Sequence, residues 1–180
     1  MFRRLLLATT IALPLILAIA AAAQESSNAS EDAKTRLNKQ EVFDLMVKAG
    51  RMSAQQQSSK LDSIWKDLST SKTPRSDFLF CAGLAYLGNY KAQRCVASAY
   101  ENGIGIVDDL SEAYAWYGVA LENHISDKAA QELLETDTDR VKQRLLANYP
   151  HPTEDDLDDL VRAQKSRIAQ YAEETKKARK

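Results

Sequence analysis

Residues 92–124 read AQRCVASAYENGIGIVDDLSEAYAWYGVALENH, and the way this stretch divides decides the fold. Ala92, Val96, Ala99 and Tyr100 recur at the three- and four-residue spacing of a helix with one buried stripe. Gly103 and Gly105 then interrupt the pattern, as a turn needing positive φ or close backbone approach requires. Asp109 with Glu112 three residues on predicts a capping box, so a second helix begins at Leu110. Its inner face is Ala113, Trp116, Tyr117 and Ala120. Alanines at that spacing let two helices approach closely while the rings fill the volume beside them. The stretch reads as a packing unit without reactive groups.

Just upstream the pattern partly repeats. Phe80, Leu84, Ala85 and Gly88 precede Trp116, Ala120, Leu121 and His124 by the same interval of 36 residues. Residues 76–91 therefore read as the second helix of an earlier unit, with Phe80 in the tryptophan's place. Its first helix is predicted in the degenerate segment 53–69, which lacks the Gly-x-Gly loop.

The order Tyr100-x-x-Gly103-x-Gly105-Ile106-x-x-Asp109-x-x-x-Ala113-x-x-Trp116-Tyr117-x-x-Ala120 resembles the SEL-one-like repeat (SLR), a relative of the tetratricopeptide repeat. Val96-Ala97 stands where that family usually has Leu-Gly. Leu121 replaces the second alanine of its Ala-Ala pair, and His124 its usual glycine. The resemblance implies a short α-solenoid of helix hairpins with flanking capping helices, and a scaffold or adaptor role toward a protein or peptide. By the logic of the repeat, Gln93, Arg94, Ser98 and Glu101 point outward and are the partner-facing candidates. Some proteins of this family have been linked to penicillin binding and hydrolysis, which gives an enzymatic alternative.

Residues 1–23 carry a different signal. Arg3 and Arg4 make a basic start, residues 5–20 are uncharged and mostly apolar, and Ala21-Ala22-Ala23 supplies a small-residue cleavage pattern. A secretory signal peptide cut before Gln24 is expected, with Pro14 interrupting the apolar run; an uncleaved anchor is the alternative. Export to a periplasmic or extracellular space follows. Without Arg3 and Arg4 the 24 basic residues become 22 against 25 acidic ones, a net charge of −3. Both signs are interspersed and no basic stripe appears, which argues against a nucleic-acid partner. No second long apolar run follows, so the exported chain is expected off the membrane.

An oxidising compartment changes how the two cysteines read. Cys81 and Cys95 are equidistant from Gly88, where a helix hairpin should turn, and so lie level across the pair. A bridge there requires Cα atoms within about 7 Å. A pair of buried free thiols is the alternative.

The remainder of the chain also reads as helix. Residues 24–39 form a polar, flexible lead-in, and residues 40–180 form an all-α domain. Val42, Leu45, Met46 and Ala49 share one helical face, and Leu61, Ile64, Trp65 and Leu68 another that begins at Ser53. Ser76 is the expected cap of the next helix. Residues 126–178 carry the C-terminal helices: one through Leu133, Leu134, Val141 and Leu145, broken or bent at Asp137-Thr138-Asp139. The other starts at Thr153 with Asp156 and continues through Leu157, Leu160, Val161, Ile168, Tyr171 and Ala172, with Gln164 on its seam. That helix supports a further alternative, a self-associating structural protein. Acidic residues at its start and lysines at its end suit the helix dipole.

Chemistry-bearing patterns are not found. Asp155 and its acidic neighbours lack a calcium-loop spacing, and His124 and His151 lack any metal-ligand spacing. Asp137 and Asp139 have no predicted burial to raise a pKa. No phosphate loop or serine-nucleophile motif occurs, so no catalytic, metal or cofactor-binding residue is expected.

Overall fold

The computed structural model describes residues 37–123, 125–148 and 152–178. The expected signal peptide, nearly all of the lead-in, His124 and His151 lie outside the described residues. Within them the chain is all-α, with seven helices and no strand. These are α1 (Lys39–Gly50), α2 (Ala54–Asp67), α3 (Pro74–Ala85), α4 (Tyr90–Asn102), α5 (Leu110–Leu121), α6 (Lys128–Ala147) and α7 (Glu154–Ala178). A 3-10 turn, Leu68–Thr70, follows α2. No helix among the described residues is long and apolar enough to cross a membrane.

Most helix starts are written in local side chains. Ser53 and Gln56 form a reciprocal capping box on α2, with bonds of 2.9 and 3.3 Å. Asn89 accepts from the Ala92 N–H at the start of α4, and Thr153 and Asp156 cap α7 reciprocally. Asp109 accepts from the Ser111 and Glu112 N–H groups, but the expected box is only half formed. Its own N–H donates to the Tyr100 carbonyl, and the Glu112 carboxylate turns instead to Arg167 at 2.8 and 3.0 Å. Two other expectations are corrected. The third helix starts at Pro74, not at Ser76, because a proline in the first turn sacrifices no helical hydrogen bond. Residues 137–139 do not interrupt α6: the Thr138 hydroxyl donates to the Leu134 carbonyl at 2.7 Å, satisfied within the helix.

The Gly-x-Gly loop owes its sequence to both conformation and space. Gly103 ends α4 at φ +67°, and the Ile104 N–H closes back on the Ala99 carbonyl at 2.9 Å. Gly105 sits at φ +73°, and any Cβ there would overlap the Pro74 carbonyl. The loop is thus laid directly on the start of α3, where Arg75 Nη1 donates to the Gly105 carbonyl at 3.3 Å.

Packing centres on α5. The four residues expected to face inward are buried, and Tyr114, Ala115 and Val119 are buried as well. A helix apolar all round has to be enclosed on several sides; α5 meets α4, α6 and α7. The single inner face read from its spacing was therefore too narrow. Trp116 and Tyr117 are each 1% exposed, and burial of side chains this large contributes about 1.5–3 kcal/mol apiece. The Trp116 ring meets Tyr86 edge-on at 5.1 Å between centroids, and Phe78 meets Tyr100 likewise at 5.6 Å.

Helix α3 packs chiefly on α1 and α4 and only lightly on α2, so the hairpin expected between segment 53–69 and α3 is not the main contact. The α1–α3 approach is close: a Cβ on Gly83 would stand 2.8 Å from the Leu45 carbonyl oxygen. Cys81 and Cys95, both fully buried, lie at disulfide distance across the Gly88 turn, with Cα atoms 6.1 Å apart. Finally α7 lies along α5 and returns to α1, where Thr175 donates to the Met46 sulfur and Lys39 pairs with Glu174 at 2.8 Å.

Candidate binding groove

Tyr90, Arg94, Ser98 and Asn102 follow one another at four-residue intervals along α4 and so share one face of it. Helix α2 runs beside this stripe and presents Leu61 and Trp65 to it, the 3-10 turn after it adds Leu68, and α6 adds Ala130 and Leu134 at one end. Two cavities open along the crevice. One, of about 140 Å³, lies between Leu61, Trp65, Tyr90, Arg94 and Leu134. The other, wider at about 480 Å³, lies between Trp65, Leu68, Ser98, Asn102 and Ile104. Trp65 borders both.

Its position is unexpected. Spacing places Trp65 in the buried stripe of α2, yet it remains 39% exposed, because Leu61, Ile64 and Leu68 alone fill the contact with the core. The indole is held by its neighbour: the Arg94 guanidinium stands 4.6 Å from the ring centroid. Arg94 is held in turn by Asp137 of α6, through Nε at 2.8 Å and Nη2 at 2.7 Å.

From Asp137 the network continues inward. Arg140 Nη1 donates to Asp137 at 2.7 Å, while its Nε and Nη2 each reach the Glu101 carboxylate at 2.8 Å. Arg144 and the Tyr117 hydroxyl also donate to Glu101, at 3.0 and 3.1 Å. Burial by itself would push the Glu101 carboxyl up, but the hydrogen bonds and charge of Arg140, with Tyr117 and Arg144, hold it below its ordinary value. Its oxygens are fully engaged, which suits a clamp between α4, α5 and α6 and leaves no lone pair poised as a base. The Tyr86 phenol is pushed up to about 12 by burial, and those of Tyr100 and Tyr117 rise for the same reason. They are packing groups that stay protonated.

The four partner-facing candidates divide evenly. Arg94 and Ser98 line the groove. Gln93 and Glu101 do not face outward: they are 2% and 5% exposed. Gln93 donates to the Ala85 carbonyl at 3.2 Å and accepts from Asn123 at 2.8 Å, while Glu101 is the centre of the arginine clamp. Trp65, Tyr90 and Asn102 are the groove residues that sequence reasoning missed. The four-residue run from Tyr90 to Asn102 was the signal available for two of them.

Among the described residues no group of three or more His, Cys, Asp or Glu side chains is placed to hold a metal ion. The repeat-signature residues gather behind the groove: Tyr100, Ala113, Trp116, Tyr117 and Ala120 in the core, Gly103 and Gly105 in the loop, Asp109 as the cap. Against family models, curated proteins and solved structures alike, the chain has no match.

Proposed function

We propose that this chain is an exported protein-interaction module, built around one SLR-like hairpin (α4 and α5) in an all-α domain, and that it binds an extended peptide segment along α4. The supporting observation is the pair of cavities on either side of the half-exposed, arginine-held Trp65. From Tyr90 to Asn102 the helix spans about 18 Å at 1.5 Å per residue, the length of roughly five or six extended residues. An exposed aromatic already fixed in place loses little freedom on binding, which is the property of interface anchors. The charges beside it, Arg94 with Asp137 and Lys91 with Asp62, are mutually paired, so the smaller cavity best accepts an uncharged, bulky side chain.

The cysteine pair at bonding distance and the basic-then-apolar N-terminal residues support an oxidising, exported setting. Self-association through the last helix is less favoured, because Leu157, Leu160, Ile168 and Tyr171 pack against the core of their own chain.

Selection of displayed random peptides against the purified chain tests the proposal. The expected result is a short consensus with a bulky apolar residue, whose affinity falls at least about tenfold on Trp65→Ala and on Ser98→Arg. Failure to enrich any consensus, or equal binding to the parent and both variants, would overturn it.

A further inference from the structure

A separate cavity of about 130 Å³ lies where α1, α2 and α3 meet. Its walls are Leu45, Ala49, Met52, Leu79 and Phe80. The Gln57 carboxamide donates to the carbonyls of Ala49 and Met52, at 3.0 and 3.2 Å, and so ties the start of α2 to the end of α1. The apolar wall is therefore fixed by the fold. Lys48, Lys60 and Ser76, all exposed, complete the lining. The Lys60 ammonium is already placed, 4.2 Å from the Phe80 ring centroid.

The charge pattern distinguishes this cavity from the groove on α4. There, each cation has a carboxylate partner. Here, no acid lines the cavity, and neither Lys48 nor Lys60 forms an ion pair among the described residues. A hole of this size accommodates about one phenyl ring; a cavity of roughly 150 Å³ is known to take benzene. Two ammonium groups beside it supply the complement of an anionic head carrying one or two negative charges, which lysine meets as a point charge without geometric demands.

We propose that this cavity binds a small organic anion, a carboxylate or a phosphate monoester, whose phenyl-sized apolar group enters between Leu45 and Phe80 while the anionic head meets Lys48 and Lys60. The site is independent of the peptide groove, and Trp65→Ala leaves it intact. Because both lysines reach solvent, the attraction weakens as salt is added.

Backbone-amide NMR titrations of the full chain with hydrocinnamate and with phenyl phosphate test this directly. Saturable shifts confined to α1, α2 and α3 are expected for at least one of the two, and which one binds assigns the head group. Replacing both lysines (Lys48→Gln with Lys60→Gln) should weaken binding about tenfold or more, and hydrocinnamyl alcohol, the uncharged analogue, should bind the parent at least about tenfold more weakly. Leu79→Trp, checked for an unchanged melting curve, should abolish binding by filling the hole. Absence of saturation with both anions, equal affinity for the alcohol, or unchanged affinity in the double lysine variant would overturn the proposal.

Discussion

Glu101 holds a full negative charge at a place water scarcely reaches, with a side chain 3% exposed, and it does so because three residues donate to it. Its lowered pKa makes the folded state bind a proton less readily than the unfolded chain. The resulting stabilisation is fully present above the ordinary value of 4.5 and is lost as pH falls through the folded one. Glu101→Gln should therefore destabilise the protein at neutral pH by about 2–3 kcal/mol. That is at or below the low end of the cost of breaking a buried pair, since Arg140 and Arg144 keep nearly half their surface in water. Urea unfolding across the acid range should show parent and variant converging below pH 4.5; a constant gap would contradict the assignment. The logic of the repeat marks Gln93 and Glu101 as outward. What turns them inward is partners 16 to 43 residues away, Tyr117, Asn123, Arg140 and Arg144, and no window of local sequence records that pairing.

At the scale of elements, α7 carries the least settled contact. Leu157, Val161, Gln164, Ile168, Tyr171 and Thr175 form its seam at alternating four- and three-residue steps, and Val161 packs so close that a Cβ on Gly118 would strike it. At the middle of the seam Gln164 is wholly buried, and its carboxamide, although it lies beside the Tyr86 hydroxyl, makes no hydrogen bond of good geometry. A buried amide left so costs about 1–3 kcal/mol, and an apolar side chain of similar size removes that cost. Gln164→Leu should raise stability by about 1–2 kcal/mol, read as a higher urea midpoint at unchanged slope; a loss would mean that the amide bonds the neighbouring Tyr86 hydroxyl in solution. The helices themselves were legible in the sequence through Ser53, Asp109 and Thr153 as caps and Gly88 and Gly103 as stops. Their neighbours were not. Periodicity tells which face of a helix is covered without telling by what, so the α1–α3 contact and the enclosure of α5 on three sides emerged only in three dimensions.

In the molecule as a whole, five of the seven described helices join in a circuit: α1 to α3, α3 to α4, α4 to α5, α5 to α7, and α7 back to α1, with α2 and α6 packed on it from outside. The Cys81–Cys95 pair spans one corner of it. A bridge closing so short a loop restricts the unfolded chain by about 3 kcal/mol. Replacing both cysteines by alanine should lower stability by about that amount, and a reductant should reach the parent's bond only on unfolding, since both residues are fully buried. Thermal melts with and without reductant, beside the double variant, check both expectations. The return of α7 to α1 has a further consequence. An open stack of hairpins has outermost members that can fray while the interior persists. None of the five helices in this circuit is outermost, so the loss of any one of them is felt from both sides. Those five should then melt together, whereas α2 and α6, which wall the groove beside α4, rest on the circuit from outside and are free to loosen first.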